Sequence, residues 1–261
     1  MKRKILICGL PGSGKSTLAK RLTEYLGDAD WWNADEVRKQ ANDWDFSPEG
    51  RYRQMDRMRS LTQASVDGNR YAVADFVCPT SGLRSEFNAD YVVWMNTIEK
   101  GRFDDTNKVF MPVENADAII TKDEWWEDKW IDHHAKVLSV KIRTCEFVNN
   151  LPTVQMLGRF QPFHDGHRAL FQRAHAKTGQ VVIFIRDMPT SDSNPWTAQQ
   201  MADNCAKELF EYAGSIKICV VPNIVNITYG RDVGYKIEQE VFDDATHAIS
   251  ATKIREEMRK K

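Results

Sequence analysis

Short apolar runs alternate along the chain with longer segments in which apolar residues recur every three or four positions. In the first half, the short runs predict strands at Lys4–Cys8, Trp31–Trp32, Tyr71–Phe76, Tyr91–Met95 and Ala118–Thr121. The longer segments predict helices at Thr17–Leu26, Pro48–Asp67 and Asp123–Val137. Strands that alternate with helices in this way indicate a parallel sheet covered on both faces.

The same alternation begins again in the second half of the chain. It predicts strands at Thr153–Leu157, Val181–Ile185 and Ile216–Val221, and helices at His167–Thr178 and Ala198–Ala213. Two asparagines and a proline interrupt the pattern at Asn149–Pro152. We therefore expect two α/β domains, residues 1–150 and residues 151–261.

Net charge and hydropathy argue against nucleic acid and membrane as partners. The 261 residues carry a net charge of −1, so no basic field favours nucleic acid as a partner. No apolar run approaches the roughly 20 residues that cross a bilayer, so we expect no membrane partner. The five cysteines are scattered without a C-x-x-C pair, as is typical of a reducing compartment, and we expect a cytoplasmic protein. The composition leaves open whether the chain forms a homo-oligomer.

Residues Gly9–Thr17 read G-L-P-G-S-G-K-S-T, directly after the first apolar run. A buried strand, a glycine-rich turn and a helix form the context of a phosphate-binding loop. Lys15 is expected to reach the β- and γ-phosphates, and the Ser16 hydroxyl to ligate Mg²⁺. The loop predicts ATP or GTP as ligand, bound by Gly9, Gly12, Ser13, Gly14, Lys15, Ser16 and Thr17.

Further polar residues follow the second and third predicted strands, and therefore belong at the same sheet edge as the loop. Asp35 is suited to accept a proton from an acceptor hydroxyl, and Arg38 to bind an anionic substrate. Asp75 ends the third strand, where a second carboxylate beside Mg²⁺ often lies. We predict catalytic roles for Lys15 and Asp35, and metal binding by Ser16 and Asp75.

In this order the motifs resemble those of adenylylsulfate kinases. The resemblance rests on four family patterns in the same order. Gly9–Thr17 corresponds to G-x-x-G-S-G-K-S-T, and Asn33–Arg38 to D-G-D-x-x-R. Phe46–Arg51 corresponds to G-F-S-x-x-D-R, and Phe76–Pro79 to F-I-S-P. The resemblance implies a P-loop kinase fold, the cofactors ATP and Mg²⁺, and Asp35 as base or Mg²⁺-side carboxylate. It also implies that the acceptor's nucleotide is held by Arg38, Phe46 and Arg51.

The chain departs from the family pattern at two positions. Asn33 stands where the family has the first Asp of D-G-D, and Cys78 replaces the Ser of F-I-S-P. The family's long basic lid is missing as well. Among the remaining arginines of this region, Arg53 and Arg59 are expected on a solvated helix face.

A second phosphate site is predicted after the strand at Thr153–Leu157. The sequence G-R-F-Q-P-F-H-D-G-H spans Gly158–His167 and places His164 and His167 three residues apart at a helix start. Imidazoles and a helix N-terminus favour phosphate oxygens, and Gly166 permits close approach. Farther along, Ile249–Arg255 supplies hydroxyls and cations suited to the remaining phosphates.

The pair H-x-G-H and I-S-x-T-x-I-R resembles the HIGH-type nucleotidylyltransferases, and G-R-F-Q-P-F-H is most similar to their nicotinamide-mononucleotide adenylyltransferase branch. The resemblance implies a Rossmann-like domain, ATP or CTP as the second nucleotide, and release of pyrophosphate. It implies catalysis by His164 and His167. The nucleotide contacts it implies are Gly158, Arg159, Phe160, His164, Gly166, His167, Ser250, Thr252 and Arg255.

Together the two halves indicate a bifunctional enzyme that acts on small molecules and nucleotides: a kinase joined to a nucleotidyltransferase. One alternative is a ribosylnicotinamide kinase fused to a nicotinamide-mononucleotide adenylyltransferase. Another is a nucleotide sensor or scaffold with one inactive site, which Asn33 and Cys78 favour. The near-zero net charge argues against a third alternative, a nucleic-acid end kinase.

Overall fold

The computed structural model describes residues 2–122, 128–228, 230, 234, 236–242 and 249–259. The chain divides into two compact units, Met1–Ile142 and Arg143–Lys261. Each unit contains a parallel sheet, as the alternating pattern predicts. Within the described ranges, no helix is long and apolar enough to cross a membrane.

The N-terminal unit has a five-stranded parallel sheet in the order β2-β3-β1-β4-β5. Its strands are β1 (Lys4–Gly9), β2 (Ala29–Asn33), β3 (Tyr71–Asp75), β4 (Tyr91–Asn96) and β5 (Ala118–Thr121). Its helices are α1 (Lys15–Leu26), α2 (Ala34–Ala41), α3 (Pro48–Asp67), α4 (Ser81–Phe87), α5 (Asp104–Val109) and α6 (Asp128–Arg143, ending just past the unit boundary). Because all strands are parallel, the ends of β1, β2 and β3 lie at one edge of the sheet.

Strand β1 lies at the centre of the sheet and is buried along its whole length. Ile5 and Ile7 contribute to an apolar cluster with α1 and α6. Leu6 and Cys8, which point to the opposite face, pack with residues from α2, α3 and α4. Burial on both faces explains why this strand is a continuous apolar run.

The C-terminal unit has a three-stranded parallel sheet in the order β6-β7-β8. The strands are β6 (Val154–Gly158), β7 (Val181–Arg186) and β8 (Ile216–Val221). The helices are α7 (Asp165–Thr178), α8 (Ala198–Glu208) and α9 (Ala251–Arg259).

Several element bounds differ from the sequence prediction. The helix predicted over Ala198–Ala213 ends at Glu208, and a 3₁₀ turn follows at Phe210–Tyr212. Helices α2, α4 and α5 were not predicted, because each has only six to eight residues and too few turns to show a period. The predicted helix start at 123–127 lies outside the described residues.

Candidate functional site

The loop after β1 has the backbone geometry of a phosphate cradle. Gly9, Gly12 and Gly14 have positive φ angles of 150°, 93° and 90°, which L side chains rarely adopt. At Gly9 a Cβ atom would also lie 2.6 Å from the Met95 carbonyl oxygen. The loop opens directly into α1, so its N–H groups and the positive end of the helix dipole favour an anion.

Lys15 is buried beside this loop, and its Nζ donates to the Leu10 carbonyl at 2.9 Å. Burial lowers the pKa of the Lys15 ammonium from 10.5 to about 8, and the nearby Asp75 carboxylate opposes that shift. Thr97 follows β4, and its hydroxyl donates to the Ser13 carbonyl at 2.7 Å. The loop is therefore tied both to its own lysine and to the neighbouring strand.

Asp75 ends β3 and is almost fully buried. Its carboxylate accepts hydrogen bonds from Ser16 Oγ at 2.5 Å, Trp31 Nε1 at 2.7 Å and Asn33 Nδ2 at 3.0 and 3.1 Å. Burial raises the pKa of Asp75, whereas the three donors lower it. The helix after β1 and the ends of β2 and β3 thus converge on one carboxylate.

The residues here fit Mg²⁺. The Ser16 hydroxyl and the Asp75 carboxylate are adjacent oxygen donors next to the phosphate cradle. Mg²⁺ in nucleotide sites takes one or two carboxylates together with substrate phosphates and waters. In the part of the chain that the structure describes, no three His, Cys, Asp or Glu side chains are grouped to hold a metal. A nucleotide-bound Mg²⁺ does not need such a group, because phosphates and waters supply its remaining ligands.

A cleft of about 840 Å³ brings the predicted nucleotide and acceptor residues together. The predicted residues in its lining are Gly12, Gly14, Lys15, Ser16, Thr17, Asp35, Arg38, Phe46, Arg51 and Asp75. Gly9, the last residue of β1, and Ser13, within the loop, are buried and are not in the lining. Asp35 stands in the first turn of α2, whose N-terminus is capped by Asn33.

At the acceptor end of the cleft, two arginines brace the segment that carries Phe46. Arg38 is buried and donates to the carbonyls of Asp43 and Asp45, both at 3.0 Å. Its guanidinium lies 4.6 Å from the centre of the Phe46 ring. Arg51 Nε donates to the Phe46 carbonyl at 2.8 Å. The ring itself stays half-exposed in the cleft.

The neighbouring arginines of α3 do not line this cleft. Arg53 pairs with Asp43 and Asp45, and Arg59 pairs with Asp56 at 2.5 Å. These contacts agree with the predicted solvated helix face.

Some residues that line the cleft, and Trp31 beside it, were not predicted from the sequence. Trp31 precedes Asn33 by two positions in β2, and this spacing is the signal that places both side chains on one face. Arg102 lines the cleft, and Trp44 and Phe103 add exposed aromatic rings to it. Isolated aromatic and basic residues in loops carry no periodic signal that would have identified them.

In the C-terminal unit, the loop between β6 and α7 is shaped by Phe160, which has a positive φ of 50° and is buried. Its ring lies over Gly158, where a Cβ atom would come within 2.9 Å of it. The same ring meets His167 edge to face, with 5.0 Å between ring centres. The glycine before the loop therefore makes room for the aromatic ring that supports the histidine.

His164 and His167 lie together at the start of α7. Their rings stack with centres 3.8 Å apart and planes inclined by 21°. Burial lowers the pKa of both imidazoles, and that of His167 falls from 6.5 to about 4. Among the described residues, neither Nδ1 atom has a hydrogen-bond partner. Two neutral imidazoles with unused polar atoms are suited to bind phosphate oxygens.

The C-terminal motif packs against this loop within the same unit. Arg255 donates to the Gln161 carbonyl at 2.5 Å and to the Thr252 hydroxyl at 3.1 Å. Ser250 Oγ accepts from the backbone N–H of Thr252 at 3.3 Å. Because α9 approaches the loop, the structure brings Ser250, Thr252 and Arg255 to the histidine side of the unit.

The segment before α8 holds the other side of the loop. Gln161 makes a reciprocal pair with the backbone of Trp196, donating at 2.7 Å and accepting at 3.3 Å. Arg159 donates to Asn194 Oδ1 at 3.2 Å. Gln161 is a supporting residue that the motif alone did not identify as one.

Two family models match the chain, one in each unit. Residues 5–87 match the model described as "AAA domain", and residues 156–208 match the model described as "Cytidylyltransferase-like". No curated protein sequence matches the chain. The predicted order of the two domains is confirmed at this level: a domain with a P-loop and an AAA-type match precedes a domain with a cytidylyltransferase-like match.

Solved structures are similar to the chain at low identity. The Mycobacterium tuberculosis APS kinase CysC, in complex with AMPPNP and APS, is 19% identical; the match covers 54% of this chain and 96% of that one, with a TM-score of 0.46. Shikimate kinase from Acinetobacter baumannii, in complex with shikimate, is 20% identical, with 54% and 94% covered and a TM-score of 0.38. A chain of the Pnkp1/Rnl/Hen1 RNA repair complex is 11% identical, with 98% and 84% covered and a TM-score of 0.32.

Proposed function

We propose that the N-terminal unit is an Mg·ATP-dependent kinase for a small anionic acceptor of the adenylylsulfate kind. We also propose that the C-terminal unit transfers a nucleoside monophosphate from ATP or CTP to a phosphorylated metabolite. One observation carries the kinase proposal: the phosphate cradle, Asp75 and the acceptor-side residues Asp35, Arg38 and Phe46 line a single cleft.

In the kinase reaction, an oxygen of the acceptor hydroxyl attacks the γ-phosphorus of ATP, and the bond from that phosphorus to the β-phosphate oxygen breaks. The hydroxyl proton passes to Asp35, and ADP leaves. Lys15 compensates the charge of the transferred phosphoryl group. Ser16 and Asp75 would hold Mg²⁺, which would neutralise part of the charge on the nucleotide's phosphates. The half-exposed Phe46 ring offers a stacking surface to a planar acceptor.

In the transferase reaction, a phosphate oxygen of the acceptor attacks the α-phosphorus of the nucleotide, and pyrophosphate leaves. His164 and His167, being neutral, each donate one N–H to the oxygens on which charge accumulates. Ser250, Thr252 and Arg255 offer hydroxyl and guanidinium donors to the departing phosphates. The stacked imidazoles with unused Nδ1 atoms support this assignment.

A product assay by mass spectrometry tests both activities. The purified protein receives Mg·ATP or Mg·CTP with adenylylsulfate, nicotinamide riboside, nicotinamide mononucleotide or a panel of phosphorylated sugars. We expect adenylylsulfate to gain a 3′-phosphate, and one phosphorylated metabolite to gain a nucleoside monophosphate with release of pyrophosphate. No product from any acceptor, with nucleotide still bound, would favour a sensor or scaffold instead.

One second candidate function has support from the sequence of the transferase loop. The form G-R-F-Q-P-F-H favours a ribosylnicotinamide kinase joined to a nicotinamide-mononucleotide adenylyltransferase. In the same assay, that enzyme would phosphorylate nicotinamide riboside and form the dinucleotide while leaving adenylylsulfate unchanged.

A further inference from the structure

Each oxygen of the Asp75 carboxylate accepts hydrogen bonds from two side chains. Oδ1 accepts from Trp31 Nε1 at 2.7 Å and from Asn33 Nδ2 at 3.1 Å. Oδ2 accepts from Ser16 Oγ at 2.5 Å and from Asn33 Nδ2 at 3.0 Å. Oδ2, on the Ser16 side, therefore faces the phosphate cradle, and the indole N–H holds the other oxygen.

Strand register fixes the donors in place. Asn33 pairs directly with Asp75 across the β2–β3 ladder, and Trp31 lies two residues earlier on the same face. Trp32 points to the opposite face, where its indole N–H donates to Ser65 Oγ at 3.0 Å. Two adjacent tryptophans thus make the same kind of hydrogen bond, but only one of them reaches the carboxylate.

The side-chain amide of Asn33 makes hydrogen bonds both to the start of α2 and to the Asp75 carboxylate. Its Oδ1 accepts from the backbone N–H groups of Asp35 and Glu36, both at 3.1 Å, and caps α2. Its Nδ2 donates to Asp75 and, at 3.2 Å, to Ser16. An aspartate could cap the helix but could not donate, and it would place a second carboxylate against Asp75. This dual role explains why Asn33, a departure from the adenylylsulfate kinase pattern, suits this site.

We propose that Trp31 and Asn33 are positioning residues that form a neutral clamp on Asp75, fixing its Oδ2 beside Ser16 as the single carboxylate ligand of Mg²⁺. The inference rests on the proposed Mg·ATP kinase function of the same cleft. Neither residue is placed in contact with the acceptor. Their effect is expected in the metal dependence of nucleotide binding.

The test compares Trp31→Phe with the matched control Trp32→Phe in the full chain. Titration calorimetry measures the Kd for ATP in Mg²⁺ and in EDTA, and circular dichroism confirms that each variant is folded. We expect Trp31→Phe to weaken ATP binding about tenfold in Mg²⁺ and to leave binding in EDTA unchanged, since one hydrogen bond to a charged group is lost. Trp32→Phe should leave the ratio of the two Kd values as in the wild type.

Equal weakening in Mg²⁺ and in EDTA would reveal a merely structural role for Trp31 and overturn the clamp, as would an unchanged Kd in both. The background Asp75→Asn provides a second check, because Trp31→Phe should have no further effect on the Kd there. A wild-type protein that binds ATP without any Mg²⁺ dependence would overturn the proposed kinase function itself, and the clamp with it.

Discussion

The two candidate sites are both proposed to bind phosphates, but their local chemistry differs. In the N-terminal cleft, the two charged side chains beside the loop already have partners: Lys15 donates to Leu10, and Asp75 accepts from three side chains. Ser13 Oγ, buried in the loop itself, has no partner among the described residues. In the C-terminal unit, His164 and His167 stack in an aromatic setting, and within the described residues their Nδ1 atoms have no partner.

This difference affects the free energy with which each site would bind a phosphate. A nucleotide entering the cleft exchanges internal hydrogen bonds for its own, so the net gain depends on charge. A phosphate at the histidine pair satisfies buried atoms that otherwise carry a desolvation cost. Hydrogen bonds hold Lys15 and Asp75 in the first site. In the second site, ring contacts with Phe160 and Phe163 hold His167, and hydrogen bonds of Gln161 and Arg255 brace the surrounding loop.

Removal of the charge at the phosphate cradle should have the largest effect. We expect Lys15→Ala to reduce phosphoryl transfer on the order of 10³-fold, because a buried cation at the transferred group is lost. Lys20→Ala, an exposed lysine of the same helix, is the matched control. The measurement is the initial rate of ADP formation in the presence of the acceptor. Nucleotidyl transfer by the Lys15 variant should stay at the wild-type rate; a parallel loss of both activities would contradict two separate sites.

The corresponding change in the C-terminal unit should cost somewhat less. We expect His164→Ala to slow pyrophosphate release on the order of 10²-fold while the kinase rate stays unchanged, because one oriented donor is removed. His175→Ala alters a histidine of the same helix that contacts Ser215 at 3.0 Å, away from the loop, and serves as control. The measurement is a coupled pyrophosphate assay. A variant as fast as the wild type would remove His164 from the proposed chemistry.

In both sites, the sequence predicts the residues of local motifs better than the contacts between distant segments. Gly12, Lys15 and His164 follow strands and stand at helix starts, so local pattern is enough to place them. Of the three donors to Asp75, Ser16 was predicted at the same site, but Trp31 and Asn33 were not predicted as its partners. Their contacts depend on the register of β2 against β3, which joins residues more than 40 positions apart. The structure also shows Arg38 bracing backbone carbonyls, a role that spacing does not encode.

Burial of the histidine pair should make the C-terminal unit sensitive to acid. The folded-state pKa of His167 is about 4, below its ordinary 6.5, so between these values the unfolded chain binds a proton that the folded chain does not. The free energy of unfolding should therefore fall as the pH drops from 6.5 towards 4, by up to about 3 kcal/mol. Denaturant unfolding across this range measures the slope, and His167→Phe, which keeps an aromatic ring among Phe160 and Phe163, should flatten it. A variant with the wild-type slope would assign the acid sensitivity to other groups.

The smallest expected effect concerns Gln199 and Gln200, the two glutamines in the first turn of α8. Gln200 completes a capping box with Thr197, its Oε1 accepting from the Thr197 N–H at 2.8 Å. Gln199 makes an exposed contact with Asp203 at 3.1 Å. We expect Gln200→Ala to lower the free energy of unfolding by about 1 kcal/mol, and Gln199→Ala by about 0.3 kcal/mol.

Urea unfolding of the two variants measures this difference, with pyrophosphate release as the second readout. If both glutamines serve only the helix, transferase rates should stay unchanged while stability separates the variants. A slower Gln199→Ala enzyme of wild-type stability would instead place that exposed side chain at the nucleotide. The C-terminal site would then depend on an exposed polar side chain of α8 as well as on the buried histidine pair.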